Sequence, residues 1–165
     1  MANKYSIDFG FDMGEAKLGG IANMQWGMAV STDGGSTWRH HDQRKPIDLN
    51  SEVTVSIFNI SDSQGQLNAV VDGGTVSSLK AADGKPEQSA TTPWAVTPRV
   101  TGGRPSGNGR SVGLDLDDVP GMQACVFEAV NSGHFAVTLE ITVDGHDYTF
   151  REDPELVVGG AGSGN

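Results

Sequence analysis

The densest group of acidic side chains that could do chemistry is the segment Asp115-Leu116-Asp117-Asp118. On a strand, Asp115 and Asp117 would share one face, and carboxylate oxygens at that spacing are ligands that Ca²⁺ accepts. The EF-hand loop, with its central glycine and terminal glutamate, is absent here. The sequence therefore offers Asp115, Asp117 and Asp118 as candidate calcium ligands, and a solvated acidic face is the alternative.

Aromatic rings and amide groups offer a second chemistry, because sugars stack on exposed rings and hydrogen-bond to Asp and Asn. Four residues on three different segments are candidates for ligand binding: Trp38, Trp94, Asn108 and Asp115. Packing in the core is the competing interpretation of each tryptophan. Asn108 falls in the stretch 102–110, which has no apolar residue and is predicted to be a loop. We expect that loop to be the first place to look for function.

The segment from Ser31 to Trp38 matches the Asp-box pattern Ser-x-Asp-x-Gly-x-Thr-Trp at every fixed position. It resembles the hairpin turn of sialidase-type propellers, in which the motif recurs in several blades and is structural. Here it occurs once, and 165 residues are too few for a propeller of ordinary blade length. In such a turn Asp33 would accept hydrogen bonds from backbone amides, the glycines would supply positive φ, and the tryptophan would pack beneath. The motif predicts a structural turn, with a ligand-facing loop as the alternative.

The other reactive side chains carry no catalytic or metal-binding signature. His40 and His41 are adjacent, so a strand would point them to opposite faces, and His134 and His146 lie near the ends of the last predicted hairpin. The single cysteine, Cys125, lies in an apolar strand pattern and is predicted to be buried and inert. The hydrolase, zinc-protease and nucleotide-binding motifs are missing. We expect a protein that is not an enzyme. A hydrolase with paired carboxylates stays a third hypothesis, since their separation depends on the fold.

Alternation of apolar and polar residues predicts the strands that would position these groups. The clearest signals lie at 4–12 and 135–143, and the second ends at Asp144-Gly145, a type I′ turn dipeptide. Segments 67–71 and 75–79 are predicted to form a hairpin around Asp72-Gly73-Gly74. Trp94 and Val96 stand between prolines and are predicted to form an edge strand. About ten strands without a helical stripe predict an all-β fold, an antiparallel two-sheet β-sandwich of the Greek-key or jelly-roll type. A closed barrel is the alternative.

Composition bounds the class of protein. The chain of 165 residues carries 23 glycines and 7 prolines, a composition that indicates many turns. Its length predicts one domain at 1–158, followed by a flexible Gly-rich tail at 159–165. Its net charge of −10 provides no basic face for nucleic acid. No apolar segment is as long as the roughly 18 residues that a membrane-spanning helix needs. The first residues also lack the apolar region of a secretory signal. We expect a soluble cytoplasmic protein, and export by a leaderless route stays open.

The last third of the sequence combines an apolar strand at 137–143, a glycine turn, an aromatic strand at 148–150, and Asp153-Pro154 followed by aliphatic residues. This order resembles the end of the PixA/AidA family of bacterial inclusion-body proteins, and 94–98 resembles a Trp-x-Val-x-Pro element of some members. The resemblance implies a compact cytoplasmic β-sandwich that accumulates in quantity and has no established enzymatic activity.

Two functions follow as hypotheses. The first is a non-enzymatic bacterial protein that self-associates into a homo-oligomer or larger assembly, with contacts supplied by exposed strand edges such as the one near Trp94. Its negative charge would make that assembly depend on salt and pH. The alternative is a small lectin-like module that binds a glycan through the four candidate ligand residues. Calcium is the one candidate cofactor, and it belongs to this alternative.

Overall fold

The computed structural model describes residues 2–60, 71–78, 92–94, 103–105, 111–114, 123–143 and 147–159. These residues form twelve strands and one short 3-10 helix at Met13–Glu15. The strands, in chain order, are β1 Lys4–Phe11, β2 Ile21–Asn23, β3 Gln25–Ser31, β4 Arg39–His40, β5 Ser51–Asn59, β6 Val71–Ser78, β7 Gly103–Pro105, β8 Ser111–Leu114, β9 Gln123–Ala129, β10 Gly133–Val143, β11 Tyr148–Glu152 and β12 Glu155–Val158. The predicted all-β fold is confirmed. In this described part of the chain, no helix is long and apolar enough to cross a membrane.

The strands form two sheets. The first sheet has the order β4-β3-β1-β5-β9, and the second has the order β2-β11-β10-β6-β8-β7, with β12 paired to β10. The two halves of β10 have different partners: residues 133–136 pair with β12, and residues 139–143 pair with β11. The two-sheet architecture expected of a sandwich is therefore present.

The sheets are mixed, which corrects the expectation of purely antiparallel sheets. β1 runs antiparallel to β3 but parallel to β5, and β11 runs parallel to β2. Alternation along a strand reports which face is buried and carries no information on the direction of the neighbouring strand. Parallel neighbours need a crossover connection. The chain between β1 and β5 supplies one, because it contains β2, β3 and β4.

The core lies between the two sheets. Alternate residues of β1 point into it and are almost fully buried: Tyr5, Ile7, Phe9 and Phe11. The ring of Phe11 meets that of Phe150 on β11 with centroids 5.3 Å apart, so the two sheets touch directly there. Cys125 also belongs to this core, as predicted, and burial raises the pKa of its thiol to about 12.

Two glycine-rich segments form strands where a turn and a loop were predicted. β6 runs straight through Asp72-Gly73-Gly74, so the predicted hairpin at this point is wrong. The ladder between β6 and β10 shifts register beside these residues, between Thr142 and Val143. Glycines inside a strand commonly mark such an irregularity. Likewise, Gly103–Pro105 forms β7, paired with β8 at the end of the second sheet, where a proline is tolerated.

Several predicted features lie outside the described residues. They are the rest of the loop at 106–110 with Asn108, the acidic residues Asp115, Asp117 and Asp118, His146, the turn at 144–145 and the tail from residue 160. Trp94 is described, and it lies in a bend rather than a strand. The carbonyl of Pro93 holds this bend against the end of β9, accepting hydrogen bonds from the amides of Val130 (2.8 Å) and Asn131 (3.1 Å).

Candidate functional site

The turn between β3 and β4 is built around the side chain of Asp33. One of its carboxylate oxygens accepts hydrogen bonds from the hydroxyl of Ser31 (2.7 Å) and the amide of Thr37 (2.9 Å). The other accepts from the hydroxyl of Thr37 (2.5 Å). Gly34 and Gly35 have φ values of 77° and 100°, which glycine adopts without steric cost. The segment is thus a tight turn cross-linked through one carboxylate.

These donors stabilise the ionised form of Asp33. The hydroxyl of Thr37 is the largest cause, followed by the amide of Thr37 and the hydroxyl of Ser31, and together they lower the pKa of Asp33 to about 2. The carboxylate therefore stays charged, and keeps its hydrogen bonds, at any pH well above that value.

The turn presents Trp38 at the surface. The indole Nε1 donates a hydrogen bond to the carbonyl of Gly35 (3.1 Å), which fixes the edge of the ring against the turn. The side chain remains 44% exposed. The ring lies against the turn, since a Cβ added to Gly35 would be 4.0 Å from its Cζ2, and it also borders a depression on the outer face of the first sheet.

We call this depression the outer groove. It has a volume of about 410 Å³ and lies across β1, β3 and β5; its lining residues are Ser6, Asp8, Ala29, Trp38, Thr54, Ser56 and Phe58. The volume falls within the range of small-molecule sites, roughly 300–1,000 Å³. The outer groove is open on its solvent side, so a ligand can enter from solvent.

Strand register places the lining residues in rows. Ser6 on β1 stands beside Ala29 on β3 and Thr54 on β5. One row further, Asp8 stands beside Gly27 and Ser56. The third row brings Gly10 beside Phe58. The floor of the outer groove therefore consists of hydroxyl groups and one carboxylate. The ring of Phe58 lies in the row beyond Asp8, and the ring of Trp38 lies at the border of the floor.

The depression exists because the outward residues of β3 beside Ser6 and Asp8 are small. Gly27 and Ala29 occupy the positions next to Asp8 and Ser6, and a Cβ added to Gly27 would meet no atom within 4 Å. By contrast, a Cβ on Gly10 would lie 2.5 Å from Cδ1 of Ile60. The sheet is therefore open beside Asp8 and covered by Ile60 at Gly10.

Among the described residues that line the outer groove, Asp8 is the one that is charged. One of its oxygens accepts a hydrogen bond from the hydroxyl of Ser6, and no other described residue hydrogen-bonds to it. Lys4, two residues earlier on β1, instead contacts Glu52, with Nζ and Oε2 3.4 Å apart. A glycosidase needs a pair of carboxylates, and the described lining supplies one. The arrangement offers hydrogen-bond acceptors, hydroxyls and aromatic rings to a ligand.

The structure separates the predicted ligand residues. Trp38 borders the outer groove, whereas Trp94 is 1% exposed and packs edge-on against Phe127, with ring centroids 5.3 Å apart. Core packing, the competing interpretation, thus describes Trp94, and its buried ring leaves no face for a sugar. Asn108 and Asp115 lie outside the described residues.

The described histidines do not converge on a metal site. His40 pairs with Ala29 on the outer face, while His41 contacts the ring of Tyr5 (centroids 5.1 Å apart) and the carbonyl of Lys45 (3.1 Å). His134 is exposed on β10. Among the residues with described positions, no three His, Cys, Asp or Glu side chains are grouped so as to hold a metal.

Sequence reasoning missed Ser6, Asp8, Thr54 and Ser56, because each was only the polar side of a predicted strand. One signal was present: β1, β3 and β5 carry small or hydroxyl-bearing residues on that side, at Ser6, Gly27, Ala29, Thr54 and Ser56. Long charged side chains normally cover a solvated sheet face. On these strands such side chains, Lys4 and Glu52, stand one row before Ser6, so the stretch from Ser6 to Asp8 is left uncovered.

No family model matches the chain, and no curated protein matches it.

Proposed function

We propose that this protein is a small carbohydrate-binding module and that the outer groove is its binding surface. The observation that carries the proposal is the exposed ring of Trp38, fixed by its own indole N–H at the border of a floor of hydroxyls and one carboxylate. Small-molecule sites combine apolar or aromatic walls with a few placed polar groups. A sugar presents the matching surfaces, since the C–H groups of its ring face are apolar and its hydroxyls both donate and accept hydrogen bonds.

Each part of the outer groove has a role in this proposal. Trp38 and Phe58 provide apolar rings for the C–H faces of the sugar. The hydroxyls of Thr54 and Ser56 exchange hydrogen bonds with sugar hydroxyls. Asp8 accepts further ones, and hydrogen bonds to an ionised acceptor are roughly twice as strong as neutral ones. Calcium prefers six to eight oxygen ligands, which one carboxylate does not approach, so we expect binding at the outer groove to be independent of calcium.

A glycan array with calcium and with chelator is the first test, followed by titration calorimetry on the best ligand. Replacing Trp38 with alanine removes the stacking ring, and we expect the affinity to fall about tenfold or more. Leu18→Ala is the matched control, because it removes a large apolar side chain that is 77% exposed and does not line the outer groove. An array that is silent in both conditions contradicts the proposal, as does full affinity in the Trp38→Ala variant.

Self-association is the second candidate function, and one observation favours it. Leu18 and Ile21 are 77% and 54% exposed; Ile21 begins β2, which stands at the end of the second sheet, and Leu18 lies in the turn before it. Apolar side chains beside a strand edge offer a contact for a second copy of the chain. The edge near Trp94, which the sequence suggested, is less suitable, because that ring is buried.

A further inference from the structure

We infer that the ligand of the outer groove is an amino sugar, whose protonated amine pairs with Asp8; this inference rests on the proposed carbohydrate-binding function. The starting point is the charge of the outer groove. Among the described residues that line it, Asp8 is charged and the other six are neutral. From these described residues an occupant meets one negative charge and no positive charge.

Covering Asp8 with a ligand has a cost that depends on the ligand. The side chain is already half-buried, and only the hydroxyl of Ser6 among the described residues donates to it. A ligand that fills the outer groove removes water from the remaining carboxylate oxygen. A buried charge without an opposite charge is strongly unfavourable, whereas a protonated amine compensates it and forms a charge-assisted hydrogen bond. The lining thus discriminates in favour of an amine.

The aromatic residues act in the same direction. An ammonium group within about 6 Å of the face of a tryptophan or phenylalanine ring is attracted to it. Trp38 and Phe58 supply two such rings in the same outer groove as Asp8. The hydroxyls of Thr54 and Ser56 would be left unused by a simple polyamine, and they match the hydroxyls of a sugar. The lining as a whole therefore fits an amine and hydroxyls on one ring.

The net charge of the whole chain also favours a ligand that carries a protonated amine. With a net charge of −10, the protein attracts cations and repels acidic glycans before contact. Lys4 does not offset this near the outer groove, because Glu52 pairs with it. Sialylated, sulfated and uronic-acid glycans are thus expected to bind weakly, and the affinity for an amino sugar is expected to fall as salt is added.

The test compares two oligosaccharides that differ only at nitrogen: a glucosamine tetramer and its fully N-acetylated form. Calorimetry at about pH 5, which is acidic enough to keep the amines of an amino sugar protonated and lies above the ordinary range of carboxyls, measures both affinities. We expect the free amine form to bind at least tenfold more tightly. Asp8→Asn keeps the size and the oxygen acceptor but removes the charge, so the preference should shrink to about twofold. Glu15→Gln removes one exposed charge outside the outer groove and should leave the preference intact.

The outcomes separate this inference from the function on which it rests. If both tetramers bind equally and Trp38→Ala weakens both, carbohydrate binding holds and the amine preference is wrong. A preference that survives Asp8→Asn, in a variant whose melting temperature is unchanged, also overturns the assignment to Asp8. If a tetralysine peptide binds as tightly as the glucosamine tetramer, the amine is recognised without the sugar and the ligand class is wrong. If neither tetramer binds and the glycan array is silent, the proposed function itself fails.

Discussion

At the scale of single residues, the side chain that positions Trp38 does not line the outer groove. Asp33 stabilises the turn by accepting hydrogen bonds from Ser31 and Thr37. The carbonyl of Gly35, which belongs to this turn, then accepts the hydrogen bond that holds the indole. Asp33 is therefore a positioning residue. Its effect on binding should appear through the ordering of the turn rather than through contact with the ligand.

The amide of Thr37 reports on this ordering, because it donates to Asp33 at 2.9 Å. In hydrogen exchange followed by NMR, we expect Asp33→Ala to remove the protection of that amide and to weaken ligand binding, with little change in global stability. Asp42→Ala is the matched control. It removes a neighbouring, partly exposed carboxylate that pairs with Arg44, and it should leave Thr37 protected. Unchanged protection in Asp33→Ala would show that the turn is ordered without the carboxylate.

The same amide gives a dependence on pH with a defined sign. The pKa of Asp33 is lowered from 3.8 to about 2 in the folded protein. A lowered pKa means that the contribution of the carboxylate is fully present above the unfolded value and is lost as the pH falls through the folded one. Protection of Thr37 should persist at about pH 3.5 and decline towards pH 2. A loss of protection centred near pH 4 would contradict the hydrogen bonding described for this turn.

At the scale of elements, β1 connects the core to the outer groove. Its inward side carries Phe9 and Phe11, and its outward side carries Ser6 and Asp8. Antiparallel pairing with β3 and parallel pairing with β5 fix which outward residues stand side by side. A shift of one residue would turn the aromatic side outward, so packing of the core also sets the geometry of the outer groove.

The contact between Phe11 and Phe150 is where the packing of the two sheets can be measured. Phe150 is fully buried, so Phe150→Ala should lower the free energy of unfolding in urea by about 3–5 kcal/mol. Ile21→Ala, on the neighbouring strand but 54% exposed, should change it by less than about 0.5 kcal/mol. Comparable small losses in both variants would show that the two sheets do not depend on this contact.

The alternation of apolar and polar residues correctly predicted the strands that have a clear inward side. It gave the wrong local structure where pairing with a distant strand determines the conformation. β1 and β10 follow from alternation, since their apolar residues face the core. The segment through Gly73 and Gly74 looks like a turn, yet its ladder with β10 keeps it extended, and that partner lies far along the chain. The outer groove could not be predicted from the sequence for the same reason, because it depends on pairing between distant strands. Trp38 is a recognisable candidate in the sequence, but its neighbours Asp8 and Ser56 come from other strands and meet only through strand register.

At the scale of the whole molecule, self-association depends on the balance between charge and the apolar side chains near β2. Salt screens the repulsion between chains that each carry −10, so sedimentation should reveal more association as protein concentration and ionic strength rise. Ile21→Lys should abolish it, because a charge beside a strand edge blocks pairing. Leu49→Lys, at a site that is 46% exposed and lies outside the strands, should not. Monomers under all these conditions would exclude this candidate function.

The parallel pairing of β1 with β5 also has a consequence for how the chain folds as it is made. Lys4 pairs with Glu52, and β3 reaches β1 well before β5 does along the chain. During synthesis, β1 and β3 therefore emerge first as an incomplete sheet, in which one edge of β1 stays unpaired until β5 has been made. Pairing between strands that are distant in the sequence is also slow to form. For that interval the edge of β1 is available to other nascent chains. The yield of native protein should then depend on how quickly translation proceeds from residue 31 to residue 59.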